Sequence, residues 1–331
     1  MLPRFIGSVR VSLLVTALTI AGSSLVASAK DAGSSRHDFV PYDRLPVRDM
    51  LPNDYLAMEG PAAKGLLATV AVGRDGKQTT REATAKDVAI FLRAMAERAG
   101  GVRKQARSKK ERPAGRETVI GEDQRTPVIF TTQYPWSPIG QVEDYCSGTL
   151  VSPRHVLTAG HCVYDIATDT WYPEHRFAPA RNGSSSPYGV VGWKRVIAAQ
   201  GWTQAHLRDF DHALIVLDQD VGSRTGWLGY GWRQPMPLYT LNINGYPADE
   251  PAGTMWHADC ALSSVTPTRL YHACDTFGGM SGSSAYTALT DGRRTVYGIH
   301  AYGVDGTGLN GATRINQSVF NTLNGWRSAF N

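Results

Sequence analysis

The sequence predicts an all-β domain over residues 118–331, preceded by a segment of different character that carries one amphipathic helix. Three observations point there. From residue 118 onward, short apolar runs such as 149–158, 213–217, 239–243 and 295–300 are punctuated by Gly, Pro, Asn and Ser, the pattern of a barrel or sandwich of short strands. All four cysteines fall in that stretch. Upstream of it there is no cysteine, and the chain passes through the basic run Arg103-Lys104-Gln105-Ala106-Arg107-Ser108-Lys109-Lys110-Glu111-Arg112.

Residues 1–29 have the layout of a secretory signal peptide. Arg4 and Arg10 give a positive start, residues 11–20 are mainly apolar, and Ala27-Ser28-Ala29 is a small-x-small cleavage site before Lys30. A membrane anchor would need about 18 consecutive apolar residues, and Gly22, Ser23 and Ser24 break the run too early. Residues 30–117 form a segment apart from the β-rich domain. Val88, Phe91, Leu92, Met95 and Ala99 recur at helical spacing, with Thr84 and Asp87 placed as a capping box and Gly100-Gly101 as a stop. The basic run then forms a solvated, protease-sensitive tether. The β-rich domain is expected to end in a single helix: Val319, Phe320, Leu323 and Trp326 share a face, and Ser318 or Asn316 can cap it.

The formal charge of +5 sits upstream of the β-rich domain. From residue 118 onward, 14 Lys and Arg stand against 17 Asp and Glu, a net charge of −3. That removes the main support for a nucleic-acid or membrane-surface partner, because such a footprint must lie on the folded surface that binds. Four cysteines in an exported chain imply two disulfides. Of the three possible pairings the local ones are expected, Cys146 with Cys162 and Cys260 with Cys274. No pair has the close C-x-x-C spacing of a structural zinc site, and no metal or cofactor is expected.

Three strings carry chemistry. In Thr158-Ala159-Gly160-His161-Cys162, His161 is a candidate general base on a loop pinned by the adjacent cysteine. In Asp209-Phe210-Asp211-His212-Ala213-Leu214, a carboxylate at the mouth of a buried strand can orient an imidazole. Both acids qualify on composition, and Asp211 is preferred because it directly precedes the apolar run over 213–217. In Asp275-Thr276-Phe277-Gly278-Gly279-Met280-Ser281-Gly282-Ser283, glycines allow a sharp turn that exposes Ser281 and lets the N–H groups of Gly279 and Ser281 converge on an oxyanion.

The order His, Asp, Ser with these strings resembles the chymotrypsin-like serine proteases, not the α/β-hydrolases, whose order is Ser, Asp/Glu, His. The likeness is strongest to the bacterial glutamyl endopeptidases. It extends over Val119-Ile120-Gly121, Arg181-Asn182-Gly183, Pro187-Tyr188-Gly189, Gly245-Tyr246-Pro247, Ala252-Gly253-Thr254 and Gly311-Ala312-Thr313-Arg314-Ile315. The resemblance implies two antiparallel six-stranded β-barrels, 118–225 and 226–331, the second followed by the C-terminal helix, with a catalytic triad of His161, Asp211 and Ser281 in the cleft. Met280 stands where the digestive enzymes have an Asp that pairs with the freed amino terminus, so activation here cannot use that ion pair. Met280 and Tyr302 are expected in the cleft walls.

For substrate choice the resemblance points two ways. Asp275 lies where trypsin-like enzymes place an acid that selects Lys or Arg. Thr276 and His300, with Gly303 after it, match the places where glutamyl endopeptidases hydrogen-bond a substrate carboxylate. Cleavage after Glu, less readily after Asp, is the favoured expectation and Lys/Arg preference the alternative. The resemblance places the mature start near Thr118 or Val119 and so makes residues 30–117 a propeptide; self-cleavage after Glu117 is then expected, while Arg116 admits a trypsin-like processing enzyme. The rival of another class is an inactive secreted binding protein of the same fold. The chain is thus expected to be a secreted monomer, extracellular or periplasmic, with protein or peptide substrates and its own propeptide as partners, and no nucleic acid or membrane. A metalloprotease is disfavoured because no histidine sits in an H-E-x-x-H arrangement.

Overall fold

The computed structural model describes residues 45–96 and 118–331. The expected signal peptide, the basic run and Glu117 lie outside the described residues. The N-terminal segment holds more than the one helix expected. Helices α1 (Pro52–Leu56) and α2 (Gly60–Leu67) lead into a hairpin of β1 (Thr69–Gly73) and β2 (Gln78–Arg81), and α3 (Ala85–Ala96) follows. The capping box at the start of α3 forms: the Asp87 carboxylate accepts from the Thr84 N–H at 2.8 Å, and Thr84 Oγ1 accepts from the Asp87 N–H at 3.2 Å. Val88, Phe91 and Met95 are buried, as their spacing predicts. Ala99 and the Gly100-Gly101 stop lie outside the described residues.

Beyond residue 118 the chain runs through β3 (Thr126–Pro127), β4 (Ile139–Val142), β5 (Cys146–Leu150), β6 (His155–Thr158), β7 (Tyr164–Asp165), β8 (Thr170–Trp171), β9 (Phe177–Pro179) and β10 (Trp193–Ala199). Then come α4 (Gln200–Thr203), β11 (Ala213–Leu217), α5 (Gly222–Thr225), β12 (Gly229–Tyr230) and β13 (Thr240–Gly245). The last elements are β14 (Trp256–Val265), β15 (Arg269–His272), β16 (Ser284–Ala288), β17 (Arg294–Tyr302), β18 (Asn310–Arg314) and α6 (Gln317–Ala329).

Six of these strands, in the order β10-β11-β6-β5-β4-β9, curl antiparallel into the first barrel, and a bridge between Phe177 and Val191 draws its ends together. The second barrel closes fully, β17-β16-β13-β14-β15-β18, with β18 pairing back onto β17. Strand β11 reads Ala-Leu-Ile-Val-Leu and is buried along its whole length, which is why it lacks the apolar–polar alternation of a half-exposed strand. The β1–β2 hairpin lengthens the first sheet, β1 lying antiparallel to β10. β1 is buried throughout, while β2 is exposed, polar and ends in Arg81, which blunts the new sheet edge.

Two boundaries differ from the sequence expectation. Residues 118–127, assigned to the first barrel, lie against the second: β3 pairs with β14, and the N–H groups of Ile120 and Gln124 donate to the Asp275 carboxylate. Helix α6, grouped with the second barrel, packs on the side of the first. Trp326 stacks on His212 with ring centroids 5.6 Å apart, its indole N–H donates to Thr69 Oγ1 at 2.7 Å, and His155 Nε2 lies 2.9 Å from the Phe330 carbonyl. Of the two candidate caps, Asn316 is the one that forms, its Oδ1 accepting from the Val319 N–H at 3.0 Å.

The disulfides are the local pairs Cys146–Cys162 and Cys260–Cys274, with sequence separations of 16 and 14. Loops of that size contribute on the order of 3 kcal/mol each. Burial also seals in several imidazoles, lowering His175 and His272 to about 3 and His212 to about 4. An unfolded His titrates near 6.5. Below that pH the unfolded chain takes up protons that the fold excludes. Stability is therefore complete above pH 6.5 and falls as pH drops toward 4, by up to about 1.4 kcal/mol per unit for each group. Melting curves of the Ser281→Ala protein near pH 7, 5.5 and 4.5 are expected to show steadily falling midpoints; a flat midpoint contradicts this.

Candidate active site

His161 sits in a 3-10 turn, Gly160–Cys162, just after β6, and its neighbour Cys162 ties that turn to β5 through the disulfide. Glycine leaves room before it: a Cβ on Gly160 would lie 3.0 Å from Asp211 Oδ1 and 2.9 Å from the Trp202 ring, so a larger residue would press on both. Asp211 follows a second 3-10 turn, Arg208–Phe210, and is fully buried. Its Oδ1 accepts from the His161 backbone N–H at 2.9 Å, and its Oδ2 faces His161 Nδ1 at 2.8 Å. A carboxylate gripping one residue at both points fixes the ring and places the imidazole proton on Nδ1. Nε2 is then the basic nitrogen.

The shelf beneath Asp211 is polar and satisfied. Its carbonyl accepts from Thr313 Oγ1 at 3.0 Å, and that hydroxyl pairs with the Tyr302 hydroxyl at 2.6 Å. The Tyr302 hydroxyl also lies against the Arg208 carbonyl, so its single proton is shared between that carbonyl and Thr313 Oγ1. Burial, reinforced by the Asp211 charge, holds the Tyr302 phenol well above its ordinary pKa, so it stays a protonated donor. Asp209, the other acid that composition allowed, is turned elsewhere: it accepts from the Tyr55 hydroxyl at 2.8 Å and from Arg269 at 3.0 Å.

Ser281 lies on the loop between β15 and β16. Its carbonyl accepts from the Ser147 N–H at 2.8 Å, and the next N–H, of Gly282, donates to the His300 carbonyl at 2.8 Å. The Cys162 sulfur, which as a disulfide has no proton to donate, touches the same Ser281 carbonyl at 3.6 Å. These contacts bring the Ser281 loop against the His161 turn. Gly279 and Gly282 adopt φ of +101° and +85°, where L side chains are strained. The Gly279 carbonyl is held by Ser147 Oγ at 2.8 Å. A Cβ on Gly282 would lie 2.2 Å from both the Ser147 carbonyl and Thr158 Oγ1. Gly282→Ala is thus expected to shift the loop, costing about 3 kcal/mol of stability and at least tenfold in kcat, read by melting and steady-state kinetics.

The remaining residues singled out by sequence divide into two groups. Asp275 does not present a free carboxylate to a pocket. Its two oxygens accept from the Ile120 and Gln124 N–H groups at 2.7 and 2.8 Å, and the residue is 5% exposed. Thr276 and His300 are both wholly buried, and Thr276 Oγ1 meets no hydrogen-bond partner among the described residues. His300 sits on β17, held by its own N–H to the Ser283 carbonyl at 2.8 Å, with Gly303 buried just beyond the strand end. Burial, together with the nearby His272 and His161 imidazoles, which disfavour a second charge beside them, pushes His300 well below the ordinary histidine range, so its ring is neutral. Met280, expected in a cleft wall, instead points inward into the second barrel's core beside Leu241, Ile243 and Leu270.

Three participants escaped the sequence reading. His272 lies with Nε2 3.3 Å from His300 Nδ1. Ser147 binds the Ser281 loop at two points and also accepts from the Tyr246 N–H at 2.9 Å. Asn310 grips Thr118, donating to its carbonyl at 2.7 Å and accepting from its N–H at 3.3 Å. Nothing local marks any of them, because each acts through contacts made only after the barrels close.

Comparison with known proteins decides the family. The sequence model of the trypsin family matches residues 124–324. The chain belongs to the trypsin family. Glutamyl endopeptidase of Bacillus licheniformis is 33% identical over 235 residues, covering 68% of this chain and 74% of that protein. A solved structure of a Glu endopeptidase in complex with MPD superposes with a TM-score of 0.59 at 26% identity, covering 63% of this chain and 99% of that one. The extracellular metalloprotease of Bacillus subtilis is 34% identical over 221 residues, covering 63% and 69% of the two chains.

That last name prompts the question whether this trypsin-family chain could hold a metal. Two groups of ligand-type side chains cluster among the described residues, Cys146, His161 and Cys162, and Cys260, His272 and Cys274. In each the two sulfurs are bonded to each other and are not thiolates, leaving one imidazole per group, which does not fit a metal centre. As a trypsin-family serine endopeptidase, the chain hydrolyses protein or peptide substrates. Among the described residues no helix is long and apolar enough to cross a membrane.

Proposed function

We propose that this serine endopeptidase is exported as a precursor and cleaves after Glu, less readily after Asp, using Ser281 as nucleophile, His161 as base and Asp211 as its orienting acid. Ser281 Oγ attacks the scissile carbonyl while His161 Nε2 takes its proton, and that proton passes to the leaving amine. Water then repeats the sequence on the acyl-enzyme, its hydroxyl ending on the product carboxyl group. The amides of Gly279 and Ser281 receive the oxyanion.

One observation carries the choice of substrate. The acid that would select Lys or Arg is already engaged: both Asp275 oxygens are occupied by the N–H groups of Ile120 and Gln124. What remains is a buried hydroxyl on Thr276 and a neutral imidazole on His300, both able to donate to a carboxylate and neither carrying the negative charge that would select Lys or Arg. The names of the Bacillus licheniformis relative and of the structural neighbour agree with this reading. Maturation follows from it by cleavage after Glu117 between precursor molecules.

Matched peptide substrates differing only in Glu, Gln or Lys on the acyl side of the cut test the assignment. Turnover of the Glu peptide at least a hundredfold above the other two is expected. Faster cleavage of the Lys peptide would return the pocket to Asp275. The inactive binding-protein reading is tested separately, by labelling of Ser281 with a fluorophosphonate, which it forbids.

A further inference from the structure

The N-terminal segment is bound as a structural component of the enzyme. β1 pairs with β10 over five residues, from Thr69 opposite Ala199 to Gly73 opposite Arg195. The seam continues at both ends, with the Gln200 N–H on the Ala68 carbonyl at 2.7 Å and the Arg74 N–H on the Lys194 carbonyl at 3.1 Å. A second seam forms at Arg48, whose N–H donates to the His206 carbonyl at 2.7 Å and whose carbonyl accepts from the Arg208 N–H at 3.0 Å. Tyr55, Ala63, Val70, Ala71 and Met95 are each at most 2% exposed and belong to one apolar cluster with Trp202, Phe210 and Trp326.

These contacts converge on the turn that carries Asp211. Tyr55 donates its hydroxyl to Asp209 at 2.8 Å, and its ring stands edge-on to Phe91 at 5.3 Å and 6.4 Å from Phe210. Phe91 lies 5.8 Å from Phe210. Arg269 joins Asp209 to Asp49, so a charge from the segment completes the network. Departure of residues 45–96 would uncover the β10 edge, an aromatic patch and a half-paired Asp209–Arg269 couple, each costly to leave exposed or unmatched.

We infer that residues 45–96 stay docked after the chain is cut between 97 and 117, serving as a non-covalent subunit that positions Asp211 through the Asp209–Phe210 turn. The inference rests on the proposed maturation cut. The active protease is then a two-chain particle. Tyr55 and Phe91 are positioning residues, since they reach His161 only through Phe210 and Asp211.

Full-length Ser281→Ala precursor carrying an inserted recognition sequence for an added site-specific protease, placed between residues 101 and 117, is cut and run on gel filtration. Co-elution of both pieces in equal amounts is expected; separate elution of the N-terminal piece overturns retention. Amino-terminal sequencing of the active wild-type enzyme tests the maturation cut independently, because the engineered cut probes docking whether or not nature makes one. For positioning, Tyr55→Phe is compared with wild type by kcat per fluorophosphonate-titrated site. A fall of about tenfold with KM within twofold is expected. A purely structural role would lower the titrated fraction and leave kcat per site unchanged, and that outcome overturns the positioning role.

Discussion

Asp211→Asn is expected to lower kcat by about ten-thousand-fold with little change in KM, because an amide would favour the wrong imidazole tautomer while keeping the ring in place. The structure makes the control unusually close in sequence. Asp209, two residues earlier, has a carboxylate of the same kind but binds Tyr55 and Arg269 instead of His161. Asp209→Asn is therefore expected to lower kcat by about tenfold, as Tyr55→Phe does, far short of the loss from Asp211→Asn. Its larger cost falls on stability, since it weakens a buried hydrogen-bonded charge pair worth about 3 kcal/mol or more when broken. Equal losses from the two variants would mean that His161 is not oriented as the 2.8 Å contact with Asp211 implies.

His300→Leu is expected to reduce kcat/KM on Glu substrates by about 100- to 1,000-fold, the usual loss when one partner of a buried hydrogen-bonded charge contact is removed. Peptides with an apolar residue at that position are expected to change little. Asp275→Asn supplies the contrast. With its oxygens on the Ile120 and Gln124 N–H groups, its replacement is expected to loosen residues 118–125 without moving the Glu-to-Lys preference more than a few fold. Under the trypsin-like alternative the pattern inverts: Asp275→Asn would abolish Lys and Arg cleavage and His300→Leu would hardly matter. The two substitutions, each assayed on the Glu and Lys peptides, separate the readings without further structural work.

Much of this architecture was legible in the chain because local chemistry and global fold agree. The alternation of short apolar runs with turn residues gave the β-class, the Thr84 and Asp87 pair gave the start of α3, and cysteine spacing gave both disulfides. What could not be read was whatever depends on a partner distant in sequence. β1 is five apolar or small residues with no alternation, and it becomes a strand because β10, more than a hundred residues later, offers it an edge. Asp275 could be placed beside the pocket by its distance from Ser281, but its charge could not be known to be engaged until the chain near Ile120 folded back onto it. Met280 likewise read as a cleft residue from its neighbour Ser281, whereas the reversal of direction at Gly279 and Gly282 sends adjacent side chains to opposite sides, one to the cleft and one to the core.

Digestion of a mixed peptide library by the mature enzyme, with every cut bond mapped by mass spectrometry and the Ser281→Ala protein run beside it, tests the central claim most directly. The account predicts cuts after Glu, fewer after Asp, and none with the Ser281→Ala protein. Cuts after Lys and Arg, or a digest unchanged by that substitution, would contradict it.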